Sequence, residues 1–259
     1  MTVELAYTIL GDRSRPMLVM SSSLGTTRSM WEPQHALQSA YCLLLYDHRG
    51  HGESPAPDGP YSIDELGADV IALLDHLNVD SASFCGLSLG GMVGLWLASH
   101  HPQRIDRLVV MCALARLDPV SRYSDRAVAV RAGGLESIAG DVVSRWFTPA
   151  FVEREPATVD RYARELAGLS AEGYASCCDA IVACDLRDRI HRIDAPTLLI
   201  AGADDPIVRP SAAVLFGASF RDAAVAVVPD AAHLVNIEQA DIVSRLVHEH
   251  LTEQRGEDD

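Results

Sequence analysis

Apolar residues along the chain fall into short runs separated by polar turns, and longer helical periods intervene between several of the runs. Residues 3–10 read as a first strand, 11–16 as a turn, 16–21 as a short apolar strand and 41–46 as a third. Beyond Ser62, a natural N-cap, Ile63, Leu66, Val70, Leu73, Leu74 and Leu77 recur at helical spacing, with Asp64, Glu65 and Asp69 near the positive end of that helix. Residues 81–85 form another strand, which leads into a helix that continues through Met92 to His100 before Pro102 stops it. Residues 105–114 are almost continuously apolar, as a strand buried on both faces of a parallel sheet must be. The alternation of strand and helix resumes only at Pro196, with strands at 196–202 and 223–228 and a last helix at 235–251. Between them, residues 115–195 are helical in pattern, with aromatic residues and arginines interleaved. The pattern therefore predicts an α/β core made of residues 1–114 and 196–259, carrying a helical cap inserted at 115–195. The acidic tail from Thr252 is expected to fray.

The stretch Phe84-Cys85-Gly86-Leu87-Ser88-Leu89-Gly90-Gly91 places a serine between glycines where a strand turns into a helix. That is the signature of a nucleophile elbow, whose strained apex exposes the serine hydroxyl. Side chains at 86 and 90 would strike the neighbouring strand and helix, and a small residue at 91 lets the helix lie close to the sheet. The other polar residues of interest also fall just past strand ends, where open α/β sheets gather ligands. They are Ser21-Ser22-Ser23-Leu24-Gly25-Thr26-Thr27, Ala203-Asp204-Asp205-Pro206 and Pro229-Asp230-Ala231-Ala232-His233. In chain order, Ser88, one of the two aspartates and His233 match a serine triad. His233 takes the proton of the attacking Ser88 hydroxyl, and the carboxylate orients and stabilises the imidazole. The backbone amides of Leu24 and Leu89 are placed to hold the oxyanion. His48 and His51, in Asp47-His48-Arg49-Gly50-His51-Gly52-Glu53-Ser54, are separated by two residues without a third ligand nearby and read as parts of a structural turn, so no metal site is assigned.

Composition narrows the classes. A length of 259 residues suffices for such a core with an inserted cap. No apolar run reaches the roughly 20 residues of a membrane span, and residues 1–10 lack the basic and apolar regions of a signal peptide. The net charge of −15 argues against nucleic acid and anionic membranes as partners. All 21 basic residues are arginine, which excludes lysine chemistry. The six cysteines have neither metal nor redox spacing and read as reduced core thiols of a cytoplasmic protein.

Several segments together resemble the 3-oxoadipate enol-lactonases of the α/β-hydrolase superfamily, over nearly the whole chain. They are Ser22-Ser23-Leu24-Gly25-Thr26, Met30-Trp31, Asp47-His48-Arg49-Gly50-His51-Gly52, the elbow, and Ala232-His233-Leu234-Val235-Asn236-Ile237-Glu238-Gln239. In the cap, Arg145-Trp146-Phe147-Thr148-Pro149, Gly173-Tyr174-Ala175-Ser176-Cys177-Cys178 and Asp185-Leu186-Arg187-Asp188 look like that family in particular. One departure is Ser22, which stands where the family's pattern leads one to expect asparagine. The resemblance implies a mostly parallel eight-stranded sheet flanked by helices, and a cytoplasmic, cofactor-free hydrolase that opens an enol-lactone to 3-oxoadipate. It implies Asp205, three residues after Gly202, as the acid of the triad. Trp31 is expected near the oxyanion loop as a pocket wall. The cap carries 11 arginines against 13 acidic residues and the remainder 10 against 23, so the cap is the less repulsive face for an anionic lactone. Within it, Arg145 is expected to pair with the substrate carboxylate and Trp146 to pack on the lactone ring. A general carboxylesterase, a cofactor-free perhydrolase or haloperoxidase-like enzyme, and a non-enzymatic receptor on the same fold share these features. A serine at the elbow argues against dehalogenases and epoxide hydrolases, whose nucleophile is usually aspartate.

Overall fold

The computed structural model describes residues 1–253. Seven strands, β1 (Tyr7–Leu10), β2 (Met17–Ser21), β3 (Cys42–Tyr46), β4 (Ala82–Leu87), β5 (Ile105–Met111), β6 (Thr197–Gly202) and β7 (Ala223–Val228), form one sheet in the order β1-β3-β2-β4-β5-β6-β7. Only β1 runs antiparallel, pairing Tyr7 with Tyr46; the other pairs are parallel. All five residues of β3 and all six of β6 are buried, which explains their lack of polar alternation. The resemblance led to eight strands, and this is corrected to seven among the described residues. The chain before Tyr7 does not supply another strand because its backbone is spent elsewhere: the Val3 amide donates to Asp69 Oδ1 (2.9 Å) and the Ala6 amide to Ser54 Oγ (2.9 Å).

Helix α1 (Ile63–His76) follows β3, and α2 (Leu89–His100) follows β4. Ser62 caps α1 through a reciprocal capping box with Glu65. Asp69 is not a solvated acid of its first turn; it is buried and receives Arg49 Nε at 2.6 Å and Nη2 at 2.8 Å. Between β5 and β6 lie α3 (Ser121–Gly133), α4 (Ala139–Val143), α5 (Pro149–Arg154), α6 (Pro156–Ala167) and α7 (Ala171–Ala183). Helix α8 (Pro210–Gly217) precedes β7. The single helix expected over 235–251 is broken at Gln239 into α9 (Val235–Glu238) and α10 (Ala240–Thr252). Thr252 closes α10, and the rest of the acidic tail, from residue 254, lies outside the described residues.

The helical segment joins the sheet at three places that matter for the site. Glu165 on α6 accepts from the Thr27 amide and hydroxyl (2.9 Å each) and, through its other oxygen, from Ser29 Oγ (2.9 Å). Gly173 on α7 meets Gly50 backbone to backbone: a β-carbon on Gly173 would lie 2.4 Å from Gly50 Cα. The Leu234 amide donates to the Trp146 carbonyl at 2.9 Å.

Candidate active site

Ser88 sits between β4 and α2 with φ 56° and ψ −112°, a backbone conformation that a residue with a side chain adopts only when its surroundings hold it. The surroundings do so. The Ser88 amide donates to the Met111 carbonyl of β5 (2.8 Å), and the Gly90 amide to the Ser22 carbonyl beyond β2 (3.1 Å). A β-carbon on Gly86 would lie 2.2 Å from the Gly90 carbonyl oxygen, and one on Gly90 2.2 Å from that of Ser21. Only glycine lets helix and strands approach so closely, so this turn is a steric consequence of the local sequence.

Asp205 follows β6 and His233 follows β7. His233 Nδ1 and Asp205 Oδ2 are 2.9 Å apart in a buried hydrogen bond. The other carboxylate oxygen accepts the amides of Ile207 (2.7 Å) and Val208 (3.1 Å), so the chain's own turn aims the carboxylate at the imidazole. Asp204 is exposed and is not His233's partner. A third residue joins the pair: Cys112, just past β5 at φ 49°, brings Sγ into a group whose ligating atoms lie within 4.8 Å of one another. These are metal-ligating residue types, yet His233 Nδ1 and Asp205 Oδ2 are spent on each other. Burial and the charge of Asp205 push the Cys112 thiol well above its ordinary pKa, so it stays protonated beside the carboxylate. The His233 loop is held by Glu238, which is buried; one oxygen accepts from the Thr148 amide (2.8 Å) and hydroxyl (2.7 Å) and the other from the Ala232 amide.

The loop after β2 uses nearly all its donors. The amides of Ser23, Gly25, Thr26 and Thr27 go to Met30 Sδ, His51 Nε2, the Ser23 carbonyl and Glu165 Oε1. In that run the Leu24 amide has no acceptor among the described residues, and the Leu89 amide, first in its helix, has none either. Ser22, in place of the expected asparagine, ties the loop to itself through Oγ and the Thr27 carbonyl (3.1 Å). His48 and His51 belong to a structural turn whose task is specific. His51 Nε2 accepts the Gly25 amide (3.0 Å), and His48 Nε2 donates to the Ser22 carbonyl (3.0 Å). Burial lowers the His51 pKa to about 4, against a smaller opposing effect of the Arg49 carbonyl. Burial and the neighbouring His51 lower that of His48 to about 3. Both rings are therefore neutral at pH 7, as an Nε2 acceptor requires.

Trp146 is buried against the same loop, its Cη2 3.4 Å from where a Gly25 β-carbon would be, with its ring edge-on to Tyr162. Trp31 is wholly buried, and its indole N–H has no partner among the described residues. Arg145 is half-buried, and no partner is recorded for its guanidinium among the described residues. Sequence reasoning missed Glu165, Glu238, Cys112 and the loop-holding role of His51. For Glu238 the signal was its place in the His233 segment; the others had none, because their partners are distant in the chain.

A sequence profile of the family described as alpha/beta hydrolase fold matches residues 16–240. The chain is 44% identical over 238 residues to 3-oxoadipate enol-lactonase 2 of Acinetobacter baylyi, covering 92% of this chain and 89% of that one. It is 36% identical over 236 residues to 3-oxoadipate enol-lactonase 1 of the same organism, covering 91% and 88%. The crystal structure of the enol-lactonase from Burkholderia xenovorans LB400 superposes with a TM-score of 0.95 at 41% identity, covering 97% of each chain.

Proposed function

Because this chain belongs to the α/β-hydrolase family, we propose that it is a serine hydrolase that opens an enol-lactone, 3-oxoadipate enol-lactone to 3-oxoadipate. The observation that carries the reading is the strained Ser88 together with two amides that have no acceptor among the described residues, Leu89 directly after it and Leu24 in the loop after β2, whose Ser22 carbonyl receives the Gly90 amide. In this reading Ser88 Oγ gives its proton to His233 and attacks the lactone carbonyl, while the two amides receive the oxyanion. The ring C–O bond then breaks, and His233 returns the proton to the leaving enol, which becomes a ketone. Water, deprotonated by His233, attacks the acyl-serine; the bond from the acyl carbon to Ser88 Oγ breaks, His233 returns the proton to Ser88 Oγ, and the carboxylate leaves. Asp205 holds the ring in the tautomer that leaves Nε2 free to accept, and no step calls for a metal or cofactor.

Residues 115–195 act as the cap over this site in the proposal, with Trp146 as an apolar wall. The substrate is taken to be anionic, since the cap is the least acidic part of the molecule. All six cysteines are buried and unpaired, which supports a cytoplasmic location. No helix among the described residues is long and apolar enough to cross a membrane.

Purified protein assayed with the enol-lactone, a neutral aryl ester and a peroxide-dependent halogenation test is the decisive comparison. Lactone opening should dominate, and Ser88→Ala and His233→Ala should each lower its rate by roughly 10⁴-fold or more while the fold persists. Near-normal lactone turnover in either variant, or halogenation as the main activity, would refute the proposal.

A further inference from the structure

Several arginines of the helical segment are neutralised. Arg116 pairs with Asp118 and Asp185, Arg131 with Glu172 and Asp179, Arg161 with Glu32, and Arg187 with Asp185. Arg126, on α3, is different. It is half-buried and has no carboxylate partner among the described residues. Its Nη1 donates to the Tyr174 hydroxyl at 3.1 Å, and its guanidinium carbon lies 5.3 Å from the centre of the Tyr123 ring. Both tyrosines are buried, at 0% and 5% exposure, so they hold the planar fork in place without cancelling its charge. A guanidinium has five N–H donors, and Tyr174 takes one of them.

The two tyrosines also locate it. Tyr174 presses on the loop after β2: a β-carbon on Gly25 would lie 3.0 Å from Tyr174 Cε2. Tyr123, with Ile207 and Val208, lines a cavity of about 400 Å³, and the amides of those two residues hold Asp205. Arg126 is thus held by two side chains of which one reaches the loop of Leu24 and the other the cavity beside the loop of Asp205. In the sheet the strands that feed those loops, β2 and β6, stand on either side of β4 and Ser88.

We propose that Arg126 is the counter-ion for a carboxylate on the substrate, so that the site selects lactones and esters bearing a free carboxylate over neutral ones. This rests on Ser88 being the hydrolytic serine. A partly desolvated cation without a counter-ion is costly, and an incoming carboxylate restores what burial removed through a charge-assisted, two-point bond. The same task was expected of Arg145, but among the described residues that guanidinium has no hydrogen-bond or ion-pair partner to order it, whereas the Arg126 fork is set before the substrate arrives.

The test compares Arg126→Met with Arg145→Met, using the ratio of kcat/KM on the enol-lactone to kcat/KM on a neutral aryl ester. The ratio should fall roughly 100-fold in Arg126→Met, as expected when one member of a buried charge pair is removed, and hold within about threefold in Arg145→Met. Arg126→Lys, which keeps charge but not the fork, should fall between and covers the case in which the methionine variant does not fold. In parallel, 3-oxoadipate and its dimethyl ester are compared as inhibitors of aryl-ester hydrolysis, which needs no lactone turnover. The wild type should prefer the acid by about tenfold or more, and Arg126→Met should lose that preference. An unchanged ratio and preference in Arg126→Met, or a fall in Arg145→Met alone, overturns the assignment. A wild type that prefers the acid yet does not open the lactone leaves Arg126 supported and refutes the substrate reading instead.

Discussion

Asp204 and Asp205 are neighbours in the chain with opposite surroundings. Asp204 points into solvent, while Asp205 is buried and spends one oxygen on two backbone amides and the other on His233. Removing the charge from a buried carboxylate that fixes an imidazole tautomer is costly, and removing it from an exposed one is not. Asp205→Asn should therefore lower turnover roughly 10³-fold or more, with Asp204→Asn within about threefold of wild type. Steady-state rates of the two variants check this, and the reverse ranking would reassign the acid. Cys112 sits against the same carboxylate as a protonated thiol, which makes it a neighbour of the pair and not a rival nucleophile.

The loop after β2 has no regular structure of its own and takes its shape from His51, His48 and Glu165. The two rings are buried neutral, with pKa values lowered from 6.5 to about 4 and about 3. Their stabilising contribution is complete above pH 6.5. Below that, the unfolded chain takes up protons that the folded chain refuses, so the contribution is lost as pH falls from 6.5 through about 4. Melting temperatures measured from pH 8 to 4.5 should decline across that interval. His51→Gln, which keeps an acceptor for Gly25 but cannot titrate, should show a shallower decline; an identical slope would remove His51 from the explanation. The docking of α7 is tested by sterics. A β-carbon on Gly173 would lie 2.4 Å from the Gly50 backbone, which cannot rotate away as a side chain can, so Gly173→Ala should cost about 1–3 kcal/mol by denaturant unfolding. Gly140→Ala, in helix α4 with nothing within 4 Å, should be neutral or slightly stabilising, and equal losses at both positions would contradict the close approach.

At the scale of the molecule, the helical segment and the sheet share one apolar core, in which Tyr123, Trp146, Tyr162 and Tyr174 are continuous with Leu18, Phe84 and Leu199. Buried polar links reinforce it, from Glu238 to Thr148 and from Glu165 to the loop after β2. Opening the helices alone would strand these carboxylates and expose both sides of the core. The protein should unfold in one calorimetric transition, with calorimetric and van't Hoff enthalpies equal. Variants that keep only Trp146 or only Trp96 should report the same midpoint by fluorescence, whereas an earlier loss of the Trp146 signal would mean that the helices melt separately.

What the sequence determined by itself was whatever neighbouring residues dictate together. The elbow was legible because Gly86, Gly90 and Gly91 permit a close turn that any side chain would block. The five interior strands, β2 to β6, were legible because parallel strands inside a sheet must be apolar on both faces. Helix α1 was legible because Ser62 and Glu65 lie within one turn of each other at the head of a continuous apolar stripe. The chain also placed its serine, aspartates and histidine past the ends of β4, β6 and β7, since that depends only on the order of the elements. The tertiary structure decided which of these side chains meet. That Asp205 reaches His233, that His51 holds Gly25 and that Glu165 holds Thr27 are pairings across 28, 26 and 138 residues. It also separated Arg126 from Arg145. Nothing local distinguishes one cap arginine from another; the difference is that packing delivers two tyrosines to Arg126 and, among the described residues, no carboxylate. Long-range contacts of this kind are set by the register of the sheet and the seating of the helices, which no short stretch of chain specifies.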